Sequence, residues 1–440
     1  MDKAEKRLTF LKALIGDAHR RMGLEFGFRL WDGARIPQDW PSDGLAIAIA
    51  DEGAVAALIR APRLPTLANL WAAKRLDILN GGVFDLVARR PKTRTRELRK
   101  SVDKLGVLRT TLAFLWVSRG GPWPLENVGA DRESDASQAE NKKNIAHHYD
   151  VSNAFYRLWL DEDMVYTCGY FHDWSDSLAT AQANKLDMIC RKLRLKPSDT
   201  MLDIGSGWGS LACHAALHYG ARVIGVTLSE EQIALAREKA ARLGLSDKVT
   251  FELRDYALLE GADRFDKIAS IGMFEHVGVS NFPRYFQAVR RLLKPGGLYL
   301  HHAITRPGKI GAKDGKKRPE FAALTRYIFP GGELDNLGRT LLNLESHGFE
   351  VHDVEGWREH YQRTCRFWHD RLAARYDDAC REVGEAKTRV YLAYLAACSL
   401  TFERGNCGVY QTLVSKRVKG ASGLPPTRED LYRYTSPPRD

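Results

Sequence analysis

The stretch Leu202-Asp203-Ile204-Gly205-Ser206-Gly207-Trp208-Gly209 decides how the chain is read. Met201 to Ile204 is a short apolar run of the buried-strand type, and Ser210 to Tyr219 has the length and pattern of a helix. Three glycines between a strand end and a helix start let backbone approach a ligand closely. The helix N-terminus adds free N–H groups. A dinucleotide fingerprint wants Asp or Glu at the end of the second strand, to hold a ribose hydroxyl. That strand is Arg222 to Thr227, and it ends in a threonine. The NAD reading is therefore set aside.

Outward from this turn the alternation continues. Ser229 opens a helix with Gln232 three residues on, the spacing of a capping box. Val249 to Leu253 and Lys267 to Ile271 read as strands, Phe282 to Leu293 as a helix and Leu298 to Ile304 as a strand. A helix over 334–346, a strand over 349–354, helical stretches near 360–383 and 386–402 and a strand over 409–416 complete the run. Such βαβ alternation predicts an α/β fold, a parallel sheet with helices on both faces. Ahead of it, residues 29–36, 45–51 and 54–60 read as short strands of a small α+β unit. Residues 120–143 are poor in apolar side chains and rich in Gly, Pro, Ser, Asp and Glu, as linkers are. The expected organisation is a domain over 1–120, a linker over 121–143, the main domain over 144–420 and a loose tail over 421–440.

Hydrophobic residues make up 44% of the 440 and charged residues 28%, which excludes collagen-like, disordered and disulfide-scaffold classes. Lys and Arg number 66 against 55 Asp and Glu, a net +11 that points to a polyanionic partner. The surplus is concentrated, because residues 1–130 hold 22 basic and 14 acidic side chains, +8 of the total. Nine basic residues lie between Arg89 and Arg109, Arg94, Arg96 and Arg99 among them, against Glu97 and Asp103. A solvated helix face is the plain reading of such a run. Its neighbour, 105–117, is apolar and carries Phe114 and Trp116, and cationic next to aromatic surface suits an interfacial element. Docking on an anionic membrane is expected, with Leu112, Phe114 and Trp116 inserted.

The longest uncharged apolar run, Val390 to Phe402, falls short of the ~20 residues a span needs. Lys12 and Asp17 break the apolar stretch near the N-terminus, and no small-residue cleavage site follows it. Membrane contact is thus expected to be peripheral, from the cytoplasmic side. The seven cysteines are scattered and form no C-x-x-C pair, which argues against a zinc site and for a reducing compartment.

The Asp-x-Gly-x-Gly turn resembles that of S-adenosylmethionine-dependent methyltransferases. Further motifs narrow the resemblance: Ile145-Ala-His-His-Tyr-Asp150, Met164-Val-Tyr-Thr-Cys-Gly-Tyr-Phe171, Gly225-Val-Thr-Leu-Ser229, Gly272-Met-Phe-Glu-His-Val-Gly278, His302-Ala-Ile304, Tyr327-Ile-Phe-Pro-Gly331 and His360-Tyr-Gln-Arg-Thr364. In this order they resemble the cyclopropane-fatty-acyl-phospholipid synthase family, which includes the mycolic acid cyclopropane synthases. The resemblance runs from about Asn144 to Lys416. It is thinner over 1–130, where Arg75-Leu-Asp-Ile78 and Phe84-Asp-Leu86 carry it. Ser206 replaces a usual Cys, Cys365 a common Leu and Gly169 a common Ala. These departures leave the shape of the acyl pocket open.

The resemblance implies a Rossmann-like seven-stranded methyltransferase sheet with helical insertions, and a methyl transfer from S-adenosylmethionine to a cis double bond of an acyl chain. The cation so formed loses a proton from the added methyl and a cyclopropane ring closes, with a bicarbonate ion as the base. Glu275, His302 and Tyr361 are expected to hold that ion by side chain, and Cys168 and Ile304 mainly by backbone. Cys398 is expected in the pocket wall, without a covalent role. For the cofactor the resemblance implies Tyr166 and Thr167 near the methionine end, and Asp203, Gly205, Gly207 and Gly209 around the turn. Thr227, Ser229 and Gln232 fall near the ribose, Asp255 and Tyr256 near adenine, although Ser229 serves equally as a helix cap. On strand alternation only one of His301 and His302 faces the site, and the motif selects His302. A methyl-branching fatty-acyl methyltransferase is the alternative, since only the fate of the cation differs. A nucleic-acid enzyme is disfavoured, because no Asn/Asp-Pro-Pro-Tyr/Phe signature occurs. The expected partners are unsaturated phospholipid acyl chains and the anionic inner face of the membrane, with no resident metal. A homodimer is compatible with all of this.

Overall fold

The computed structural model describes residues 2–91, 103–126, 152–308 and 332–432. Most of the expected linker lies outside these, as do the motifs over 145–150 and 327–331 and Arg94, Arg96 and Arg99. Two compact units form, one from the described residues up to 126 together with 384–396, the other from the remainder.

The larger unit carries seven strands: β5 (Thr200–Ile204), β6 (Arg222–Thr227), β7 (Val249–Leu253), β8 (Phe265–Ile271), β9 (Leu293–Thr305), β10 (Phe349–Gly356) and β11 (Gly408–Lys416). Their order across the sheet is β10-β11-β9-β8-β5-β6-β7. The expectation of a wholly parallel sheet needs one correction. β11 runs antiparallel to both of its neighbours, β9 and β10. It follows the helix Glu385–Glu403 in the chain and lies between β9 and β10 in the sheet.

Alternation along each strand feeds two cores. Met201 and Val223 join Leu186, Ile189, Leu211 and Ile233 on one face. Leu202, Ile204, Val226 and Ile268 join Tyr285, Phe286, Leu292 and Leu344 on the other. Chain order reverses at β5, whose neighbours are β6 and β8, and a crevice opens there at the carboxyl ends of the strands. The helical stretch expected over 360–383 is two helices, Arg358–Ala374 and Tyr376–Val383, and the one expected from 334 begins at Leu337, where Asn336 caps it. The helix Leu178–Lys192, capped by Ser177, had no counterpart in the sequence reading.

The smaller unit holds β1 (Gly27–Arg29), β2 (Arg35–Ile36), β3 (Ala46–Ile49) and β4 (Leu76–Leu79) in the order β2-β1-β3-β4. The strand expected over 54–60 is instead the helix Glu52–Arg60, with Ala54, Val55, Ala56 and Ala57 all buried. Asp51 accepts from the Ala54 N–H at 2.8 Å, so a capped, alanine-rich run took the helix. Arg75, buried, clamps Asp51 through Nε at 2.7 Å and Nη2 at 2.5 Å, and donates to the Arg119 carbonyl at 2.7 Å. Trp71, Asp77 and Arg389 form a second clasp: Arg389 stacks on the Trp71 ring at 4.0 Å and bonds Asp77 at 2.8 Å.

Candidate active site

The glycine turn after β5 takes left-handed backbone at three points, φ 77° at Gly205, 54° at Gly207 and 82° at Gly209. A Cβ on Gly205 would sit 2.8 Å from Met273 Cγ, and one on Gly209 2.6 Å from Phe251 Cζ. A Cβ on Gly207 would meet no atom within 4 Å, so this glycine faces open space. That space is a cleft lined by the turn together with Tyr166, Thr167, Asp203, Gly205, Gly207, Thr227, Gln232, Asp255 and Tyr256. Nine of the eleven expected cofactor residues therefore share one wall.

Two do not line it. Gly209 lies behind the turn against Phe251, where its left-handed backbone starts the helix Ser210–Tyr219. Ser229 accepts from the Gln232 N–H at 3.3 Å, which makes it the cap of the helix Glu230–Arg242. Capping ties its hydroxyl to backbone, and the cleft is left to Gln232, whose Oε1 accepts from Thr227 Oγ1 at 2.8 Å.

Lys185, unforeseen, also lines the cleft. It is buried, donates to Thr167 Oγ1 at 3.0 Å, and is pushed down to about 8 by burial against the attraction of Asp161, Cys168 and Asp203. Burial likewise raises Asp203 to about 7, opposed by Lys185, and Asp203 Oδ2 has no partner among the described residues. The one available signal was a lysine on the buried stripe Ala181, Lys185, Met188 and Lys192.

None of the expected acid–base residues lines this cleft, although Glu275 precedes and Cys168 follows a residue that does, His276 and Thr167 respectively. A short 3₁₀ turn, Phe274–His276, divides its side chains: His276 lines the cleft, while Glu275 turns to β9. Glu275 Oε1 accepts from the Ile304 N–H at 2.6 Å, and Oε2 is buried without a partner among the described residues. Burial lifts the carboxyl to about 7. Of the Ile304 backbone, expected to help hold an anion, the N–H donates to Glu275.

His301 and His302 point to opposite faces of β9. His301 joins the aromatic core at Phe274, 4.6 Å away, with Nδ1 2.8 Å from the Tyr299 hydroxyl. His302 lies edge-on to Trp357 at 5.4 Å, and Gln411 Nε2 donates to its Nδ1 at 3.2 Å. With the Gln411 amide in this orientation the ring proton resides on Nε2, and burial lowers the imidazole well below its ordinary range, which keeps it neutral.

Cys168, Trp357, Met188 and Val409 form one buried cluster on which Ile304 and Tyr361 pack. Tyr361 stacks on Phe402 at 4.7 Å and stands edge-on to Trp368. The Cys168 thiol is buried and raised well above its ordinary value, so it is no nucleophile. Its loop is pinned to the helix Arg358–Ala374: the Gly169 N–H donates to Thr364 Oγ1 at 3.0 Å and the Phe171 N–H to His360 Nδ1 at 3.1 Å. A Cβ at 169 would come within 3.1 Å of Ala181 Cβ, which suits the glycine found there. Cys365, one turn beyond Tyr361, is buried, and its thiol feels Cys398 across from it. Cys398 is half-buried and outside the Cys168 cluster.

The chain has counterparts among known proteins. Residues 136–412 match the family model for mycolic acid cyclopropane synthetase. A probable fatty acid methyltransferase of Pseudomonas putida is 43% identical over 311 residues, 70% of this chain and 77% of that one. The cyclopropane-fatty-acyl-phospholipid synthase of Escherichia coli K12 is 38% identical over 275 residues, 62% of this chain and 67% of that one. The crystal structure of mycolic acid cyclopropane synthase CmaA1 complexed with SAH and CTAB aligns at TM-score 0.59 and 31% identity, over 62% of this chain and 98% of that one. Sheet order, glycine cleft and family match agree, and the chain belongs to the mycolic acid cyclopropane synthetase family of S-adenosylmethionine-dependent methyltransferases.

Proposed function

We propose that the chain is a cyclopropane-fatty-acyl-phospholipid synthase, which adds a methylene to the cis double bond of unsaturated acyl chains at the inner face of the membrane. The observation that carries this reading is Glu275: a buried carboxyl with one oxygen fixed by Ile304 and the other unpartnered among the described residues, where Ile304 packs with Tyr361 on the Cys168 cluster whose Trp357 meets His302.

When bound, S-adenosylmethionine supplies an electrophilic methyl and bicarbonate a proton acceptor. The residues present fit that anion. Glu275 Oε2 can accept its O–H, and neutral His302 Nε2–H and the Tyr361 hydroxyl can donate to its oxygens. An alkene has no proton to remove before attack, so the glycine turn, Thr227 and Gln232 serve to position rather than activate. Transfer of that methyl would break its bond to sulfur, the pair staying on the sulfur, while the π electrons make the new carbon–carbon bond and leave a cation on the acyl chain. Tyr166 lines the cleft and packs edge-on with Trp159 and Trp368, centroids 5.1 and 5.2 Å away, so an apolar aromatic wall backs the site and keeps water out. One proton leaves the transferred methyl, and its C–H electron pair closes the ring.

A fatty-acyl methyltransferase giving a methyl-branched or methylated unsaturated product is the second reading, favoured by the name of the Pseudomonas putida relative. The deciding experiment supplies purified protein with S-adenosylmethionine, bicarbonate and unsaturated phospholipid vesicles, then measures fatty acids by mass spectrometry. A gain of one CH₂ that resists catalytic hydrogenation supports the ring. A product that takes up hydrogen, or is already a saturated branch, overturns it in favour of the second reading.

A further inference from the structure

The helix Lys104–Phe114 belongs to the smaller unit and has two unlike faces. Thr110 and Phe114 are 2% and 0% exposed, and Phe114 joins Leu11, Ile49 and Leu70 in that unit's core. The expected insertion of Phe114 is thereby corrected: its side chain is spent holding the helix to the first helix, Lys3–Met22. On the opposite face Leu105 and Leu108 are each 54% exposed, Leu112 60% and Trp116 90%. The spacings of three, four and four residues stack these side chains in one stripe, which the turn following the helix extends to Trp116. No other large apolar side chain among the described residues is as exposed as Trp116.

We propose that this stripe is a membrane wedge, seated among the acyl chains of an anionic bilayer. Charge selects this occupant. Lys104 and Arg109, both exposed, border the stripe on its two sides, and no acidic residue occurs from 104 to 118. Asp103 lies at the helix start, where its carboxylate accepts from the Leu105 N–H at 3.1 Å. An apolar strip between cationic edges is the cross-section of an interfacial helix: the cations meet lipid phosphates as the Leu and Trp side chains pass below them. A second copy of the chain fits less well, since two-fold pairing of this face would bring Lys104 and Arg109 toward their own counterparts. The inference is independent of the reaction proposed above, because it rests on a different unit.

The test is co-sedimentation of the full chain with vesicles of phosphatidylglycerol and phosphatidylcholine, and with phosphatidylcholine alone. The parent should partition to the anionic vesicles, with affinity that falls in salt without vanishing. Leu112→Glu and Trp116→Glu should each weaken partition about tenfold or more, and Leu112→Trp should strengthen it. Affinity for S-adenosylhomocysteine, read by calorimetry, should be the same in all. Unchanged partition in both Glu variants together with no gain from Leu112→Trp would overturn the proposal. So would a Glu variant that changes the oligomeric state by light scattering and leaves vesicle binding intact, since the stripe would then be an interface between copies.

Discussion

Glu275 and Ile304 are joined by a hydrogen bond of 2.6 Å in which the backbone of β9 holds a carboxyl from the turn after β8. The bond fixes one carboxyl oxygen and leaves the other as an acceptor. Glu275→Gln keeps an oxygen for Ile304 and puts an NH₂ donor where that acceptor stood. Affinity for S-adenosylhomocysteine and for vesicles should be retained, and turnover should fall about a hundredfold or more. Near-parental turnover at saturating lipid and bicarbonate would make Glu275 a purely structural residue.

The same carboxyl sets a pH dependence of stability. Its folded value, about 7, lies above its ordinary 4.5, so between these values the folded state binds more protons than the unfolded one. Stability contributed by this group is therefore lost as pH rises through that window, on the order of 3 kcal/mol at most. Glu275→Gln removes the effect. Its melting temperature relative to the parent should be higher at pH 8 than at pH 5, and an equal difference at both would contradict the assignment.

Gly205 and Gly207 separate strain from ligand contact. Gly205→Val drives a side chain into Met273 and should lower both the melting temperature and cofactor affinity. Gly207→Ala meets no protein atom and costs only the left-handed backbone, about 1–2 kcal/mol. Calorimetry should nonetheless show a large loss of S-adenosylhomocysteine affinity in Gly207→Ala. Parental affinity there would move the cofactor away from the turn.

Lys185→Met tests the cation in the cleft wall. Without it Asp203 loses the charge that opposes its burial, and its carboxyl should titrate above the present value of about 7. The pH profile of S-adenosylhomocysteine binding should shift to higher pH, with affinity at neutrality down about tenfold. An unshifted profile would mean that Asp203 and the lysine act independently of the ligand.

Local chemistry made much of this protein legible. The short apolar run Met201 to Ile204, followed by glycines that turn left-handed, identifies a buried strand and a ligand turn whatever surrounds them. The motif order singled out Glu275, His302 and Tyr361 as candidates, and strand alternation alone sent His301 and His302 apart.

What tertiary structure decided are the matters of competition between partners. Residues 54–60 read as an apolar run, and the Asp51 cap with the burial of Ala54 to Ala57 made them helix. Ser229 and Gly209 carry the right residue types for a ligand but were claimed by a helix start and by Phe251. Phe114 and Trp116 are equally apolar in sequence, yet one fills a core and the other meets solvent, because two positions along a helix turn through most of a half circle. Sequence by itself determined which chemistry is present and in what order. Which oxygen of Glu275 lacks a partner among the described residues, and that Lys185 faces the same cleft as Asp203, depend on contacts between residues far apart in the chain, and only the folded packing decides those.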